Sequence, residues 1–184
     1  MALPLGSVAA EGTAPADDAK KADLKPDSVL FVISSATVLT LAGGEKVETG
    51  YWAGEFLLPH RELTAQGYPI AVATPTGKTP HPDPVSLGPD AKAAAAVTAR
   101  LADIGCLKQP LCLDAVDLAQ VSRLRAIVIP GGYAPMADLA DSPALGRILR
   151  AAAKAGVLIA AICHGPVALL SRREPGLPWC FAGF

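Results

Sequence analysis

Apolar residues gather in four short runs, and several of the stretches between them carry helical spacing. The first run, Ser28-Val29-Leu30-Phe31-Val32-Ile33, is rich in β-branched residues and apolar at nearly every position. Such continuity predicts a strand buried on both faces, the situation of a parallel strand covered by helices. Ile70-Ala71-Val72-Ala73, Ala126-Ile127-Val128-Ile129 and Val157-Leu158-Ile159-Ala160-Ala161-Ile162 repeat the pattern.

A loop through Gly43-Gly44 follows the first strand. From Glu55 to Gln66, Phe56, Leu57, His60 and Leu63 can share one helical face, and Gly67 supplies the stop. Pro75 and Gly77 end the second strand. Lys78 to Pro89, with Pro80, Pro82 and Pro84, has no apolar period and reads as a surface loop. Asp90 can cap an Ala-rich helix running to about Ile104, and Ser142-Pro143 pairs an N-cap with proline at the first helical position. That second helix reaches about Ala155, where Gly156 breaks it. Alternating strands and helices predict an α/β fold: a flavodoxin-like open parallel sheet with helices on both faces and right-handed crossovers. Residues 1–27, rich in Ala, Asp, Lys and Pro without a period, read as a flexible N-terminal tail before one domain over 28–184.

Composition narrows the function classes. The 184 residues suit one domain with a sizeable core. Seventeen acidic against sixteen basic residues leave a net charge of -1 and no basic stripe, which argues against nucleic acid as a partner. No apolar run approaches the roughly eighteen residues that span a bilayer. The N-terminus carries no basic residue before Lys20 and has only a short apolar stretch, so no secretory signal is expected and the cytoplasm is the expected compartment. Cys106, Cys112, Cys163 and Cys180 show no C-x-x-C spacing, and His60, His81 and His164 do not cluster with them; no metal is expected.

Candidate chemistry centres on Ala161-Ile162-Cys163-His164-Gly165-Pro166, where a strand gives way to a helix. A nucleophile on so sharp a turn sits in strained backbone, so the residues two before and two after it must be small, as Ala161 and Gly165 are. A helix start beyond the turn favours negative charge on sulfur. The carboxyl ends of parallel strands form the active edge of such sheets, and Cys163 falls there. Gly131 and Gly132 end the third strand on the same edge, where their N–H groups, with that of His164, can form an oxyanion hole. Glu55 opens the first helix, and from there its carboxylate can approach the thiol and exchange protons. Each residue has a plainer reading. Cysteine is often a small core residue, His164 can be a cap, Glu55 can answer the helix dipole, and a glycine pair can be a tight turn. Cys106, Cys112 and Cys180 lack any such setting and read as structural.

Taken together, Thr49-Gly50-Tyr51-Trp52-Ala53-Gly54-Glu55, Ala73-Thr74-Pro75-Thr76-Gly77, Ile129-Pro130-Gly131-Gly132-Tyr133 and Ala161 to Pro166 resemble the ThiJ/PfpI superfamily. These class I glutamine-amidotransferase-like proteins include intracellular peptidases, deglycases and glyoxalase III chaperones. The resemblance runs from about Ser28 to Ser171 and is strongest to the heat-shock glyoxalase III and chaperone branch. It implies Cys163 as nucleophile, Glu55 as acid/base carboxylate and His164 as triad histidine, with Gly131, Gly132 and Tyr133 lining the oxyanion and binding region. The implied chemistry needs no cofactor: conversion of methylglyoxal to lactate through a hemithioacetal. The metal site of some members is not expected, because Thr64 and Pro69 stand at two ligand positions. Tyr133 replaces a histidine of many relatives. The family continues past the nucleophile helix into further strands and the acidic partner of the histidine. The chain ends at Phe184, so a domain lacking that part and exposing an apolar sheet edge is expected. The leading expectation is a cysteine enzyme acting on small carbonyl compounds, and a homodimer is expected because dimers are frequent among relatives. An amidase or peptidase, and a holding chaperone or redox sensor without turnover, are the alternatives.

Overall fold

The computed structural model describes residues 24–171, 176 and 178–183. Its centre is a parallel sheet of five strands in the order β5-β4-β1-β6-β7, formed by β1 (Val29–Val32), β4 (Ile70–Thr74), β5 (Leu111–Cys112), β6 (Ala126–Ile129) and β7 (Leu158–Ala161). A separate antiparallel hairpin joins β2 (Val38–Thr40) to β3 (Lys46–Glu48). The helices are α1 (Ala53–Ala65), α2 (Ala91–Ala102), α3 (Gly105–Lys108), α4 (Leu118–Val121), α5 (Pro135–Asp138) and α6 (Pro143–Ala155).

Every residue of β1 and β6 is buried, and their alternate side chains feed two cores. On one face Leu30, Val32, Ile127 and Ile129 pack with Leu145, Ile148 and Leu149 of α6. On the other, Val29, Phe31, Ile33 and Val128 pack with Phe56 and Leu57 of α1, Leu101 of α2 and Leu107 of α3. Phe31 and Phe56 meet edge to face at 5.0 Å. Full burial of such a side chain contributes about 1.5–3 kcal/mol. The expected open parallel sheet with helices on both faces is therefore the fold.

Helix ends follow the sequence signals. Gly67, at φ 82°, closes α1: its N–H reaches the Thr64 carbonyl and that of Tyr68 the Leu63 carbonyl, which satisfies two orphaned acceptors. Asp90 Oδ1 accepts from Ala93 N at 2.8 Å, and Ser142 Oγ from Leu145 N at 3.2 Å. Gly156, at φ 71°, ends α6.

Three expectations need correction. Order begins by Leu24, not Ser28: Leu24 is 2% exposed and its N–H donates to Gln120 Oε1 at 2.7 Å. An apolar residue inside a polar stretch found a core position; residues 1–23 of the expected tail lie outside the described residues. The stretch after the first strand is not only loop, because Gly44 at φ 82° lets the chain fold back and pair β2 with β3. The proline-rich segment is not wholly superficial: Tyr51 bridges to Pro82, and Asp83 is 4% exposed. The two-residue β5 was also not anticipated.

At the β7 edge of the sheet, Leu158 is 66% exposed. Beside it Arg150 donates to the Pro178 carbonyl and Trp179 Nε1 to the Leu169 carbonyl. Among the described residues no helix is long and apolar enough to cross a membrane.

Candidate active site

In the sheet β1 is flanked by β4 on one side and β6 on the other, so the connections leaving β1 and β6 diverge and open a crevice at the carboxyl edge. The turn after β6 carries Gly131, Gly132 and Tyr133, and the turn after β7 carries Cys163 and His164.

Cys163 has φ 56°, one of two described non-glycine residues with positive φ. A left-handed cysteine costs about 1–2 kcal/mol, and the surroundings must enforce it. They do so by close backbone packing. A Cβ on Gly165 would strike the Ile129 carbonyl oxygen, and one on Gly131 would lie 2.7 Å from both His164 N and Ile162 O and 2.9 Å from Cys163 Cβ. Only hydrogen fits at either position. The small residue expected two places after the nucleophile is thus explained by the β6 backbone behind it. Beyond the turn the expected helix takes the form of a short 3₁₀ helix, Gly165–Leu170.

Cys163 and His164 are both exposed, with Sγ 3.3 Å from Nδ1. The imidazole lies against Tyr133, ring centroids 4.9 Å apart and inclined by 51°. Glu55 reaches the site from the first turn of α1, and its Oε2 accepts from Gly131 N at 2.7 Å. Gly131 therefore cannot give its N–H to an oxyanion in this arrangement; a carboxylate is the stronger acceptor and already holds it. The amides of Gly132 and His164 donate no hydrogen bond among the described residues.

Residues to which sequence reasoning assigned no role brace this arrangement. Trp52 N donates to the Gly131 carbonyl at 3.1 Å, and Gly132, at φ 82°, lies against Gly50 and Trp52. Asp83 accepts from Thr49 Oγ1 at 3.1 Å and from Val85 N at 2.9 Å, while Ser86 Oγ accepts from Ala53 N at 3.1 Å. The segment ending in Glu55 is thereby clamped by the proline-rich loop. Asp138 of α5 ties down the end of β1, accepting from Ser34 Oγ at 2.6 Å and Ser35 N at 2.8 Å. Burial pushes the Asp138 carboxyl above its usual range, against the lowering effect of those bonds. These partners lie 34 and about a hundred residues apart in sequence, and no local signal joins them.

Residues 34–174 match the DJ-1/PfpI family. The chain belongs to that family. Among its relatives, a Staphylococcus aureus protein named protein/nucleic acid deglycase HchA is 30% identical over 146 residues, 78% of this chain and 49% of that one. The chain thus spans about half the length of the curated relatives it matches. Two solved structures share the DJ-1/PfpI fold. The 24 kDa rapid encystment protein of Francisella tularensis aligns at TM-score 0.64 and 24% identity, covering 81% of this chain and 64% of that one. Glyoxalase III from Candida albicans aligns at 0.62 and 23%, covering 82% and 63%.

Proposed function

We propose that this site carries out cysteine-dependent, cofactor-free chemistry on reactive 2-oxoaldehydes, in the manner of a deglycase or glyoxalase III. One observation carries the reading: an exposed thiol in enforced left-handed backbone has an imidazole nitrogen 3.3 Å away, and the Gly131 backbone at its side holds the Glu55 carboxylate. The deglycase name of the 30% identical relatives supports it.

In this reading the Cys163 sulfur adds to the aldehyde carbon of methylglyoxal, and the carbonyl oxygen gains a proton to give a hemithioacetal. The amides of Gly132 and His164 stabilise the oxygen as charge develops. Glu55 removes the proton from the carbon that bears sulfur and returns one to the neighbouring carbon, while the hydroxyl proton passes from the first carbon's oxygen to the second's, which leaves a lactoyl thioester. Water then cleaves the thioester, releasing lactate and the thiol. His164 takes and returns the thiol proton.

Lactate formation from methylglyoxal by the purified chain, without glutathione or metal, tests the proposal. Turnover abolished by Cys163→Ala and by Glu55→Gln is the expected result. No turnover from soluble, folded chain would remove this reading.

A further inference from the structure

His164 is exposed, and nothing in its own backbone fixes the ring. Among the described residues its ring nitrogens have one neighbour, Cys163 Sγ, and its face has one aromatic neighbour, Tyr133. A catalytic base needs a third group to orient it, and a hydrogen-bonded carboxylate commonly serves. No described carboxylate hydrogen-bonds this imidazole, and the Tyr133 ring stands against its face.

We propose that Tyr133 is the positioning residue of His164, holding the imidazole face so that Nδ1 points at Cys163 Sγ. This rests on the reading of Cys163 and His164 as the reacting pair. Tyr133 is itself set by backbone. Gly132, at φ 82°, is pressed against Gly50 and Trp52, with Trp52 N 3.0 Å from where a Cβ would be, and this fixes the direction in which the next residue leaves the turn. The Tyr133 carbonyl then accepts from Met136 N at 3.1 Å as α5 begins. The ring is 49% exposed, so it fills no core position, and the imidazole lies against it. The hydroxyl has no part in this role. The benzene ring is the required feature, and phenylalanine should serve equally.

Alkylation of Cys163 by iodoacetamide reads the pair without any substrate. Sulfur displaces iodide from the methylene carbon and the thiol proton passes to His164, so the rate follows the alignment of the two side chains. The Cys163 peptide is followed by mass spectrometry, which separates it from the other three cysteines. Tyr133→Ala should slow alkylation roughly 3- to 10-fold, the scale of one lost ring contact, while Tyr133→Phe stays within about twofold of the parent. Tyr133→Leu, which keeps bulk but no ring, should behave as alanine does. In NMR spectra the ring protons of His164 should lose their upfield shift in the alanine and leucine variants and keep it in phenylalanine. A parental alkylation rate in either folded ringless variant overturns the proposal. A parental rate in His164→Ala overturns it at its premise. Lactate is not measured, so failure of the glyoxalase reading leaves this result standing.

Discussion

Glu55 and Gly131, 76 residues apart in sequence, meet through a hydrogen bond of 2.7 Å from the glycine amide to Oε2. The first turn of α1 thereby holds the turn after β6, whose other side abuts Cys163 Cβ. Oε2 fixes the carboxylate, and in the proposed reaction Oε1, which accepts no hydrogen bond among the described residues, is the oxygen that exchanges the substrate proton.

Glutamine and alanine at position 55 separate those two roles. Glu55→Gln keeps an acceptor for the Gly131 amide but cannot exchange a proton, so lactate formation should fall about 10²- to 10⁴-fold with stability nearly unchanged. Glu55→Ala should lose as much activity and also about 1–3 kcal/mol of stability, because the buried Gly131 N–H is left without a partner. Urea unfolding beside the lactate assay checks both. Equal stability of the two variants would mean that the hydrogen bond has no structural weight.

The backbone of Cys163 stores strain that a paired substitution can read. Cys163→Ala and Cys163→Gly both remove the thiol, yet only glycine adopts φ 56° freely. Glycine also has more freedom to lose on folding, which offsets part of the relief. The glycine variant should still be more stable than the alanine one by roughly 0.5–1 kcal/mol. A clear advantage for alanine in denaturant melts would show the turn to be unstrained.

Close approach behind the thiol gives a third expectation. Gly131→Ala would place a methyl group 2.7 Å from both His164 N and Ile162 O, with backbone on both sides and no flexible side chain to move away. Overpacking of this kind costs about 1–3 kcal/mol, and here it also displaces the elbow. Gly43→Ala is the control, since nothing lies within 4 Å of its added carbon. Melting temperature and Cys163 alkylation should both fall for the first variant and hold for the second.

The parallel strands longer than two residues were legible because they are continuous apolar runs; β6 begins and ends where its sequence does. Helix ends were legible wherever a cap or glycine stood in sequence, as at Gly67, Asp90, Ser142 and Gly156. The elbow was legible from its small flanking residues. The rest depended on long-range pairing. Asp83 finds Thr49, and Asp138 finds Ser34 and Ser35, only after the sheet brings them together. The Gly131 amide looked like a free donor because nothing local says that Glu55 will take it. The β2–β3 hairpin did have a local signal, Gly43-Gly44 between stretches that carry the β-branched Val38, Thr40 and Val47, and the loop reading passed over it.

His60 supplies a pH dependence of stability. Its ring packs on Phe56 at 5.2 Å and lines a depression with Leu57, Arg61, Thr64, Arg100, Asp103 and Ile104. Burial pushes its pKa below the ordinary histidine value of 6.5. The folded chain therefore binds this proton less readily than the unfolded chain does. Wherever the unfolded state holds more protons, stability rises with pH. The contribution of His60 is thus full above 6.5 and is lost as pH falls through the window between 6.5 and its lower folded value. Arg61 and Arg100 add positive charge on the same side, and Asp103 offsets part of it. Replacing His60 with glutamine, which does not titrate, should flatten the slope of unfolding free energy between about pH 7 and 5 without changing Cys163 alkylation, since α1 joins the site through Glu55 and not through this face. An unchanged slope in His60→Gln would assign the acid sensitivity of the fold to other groups.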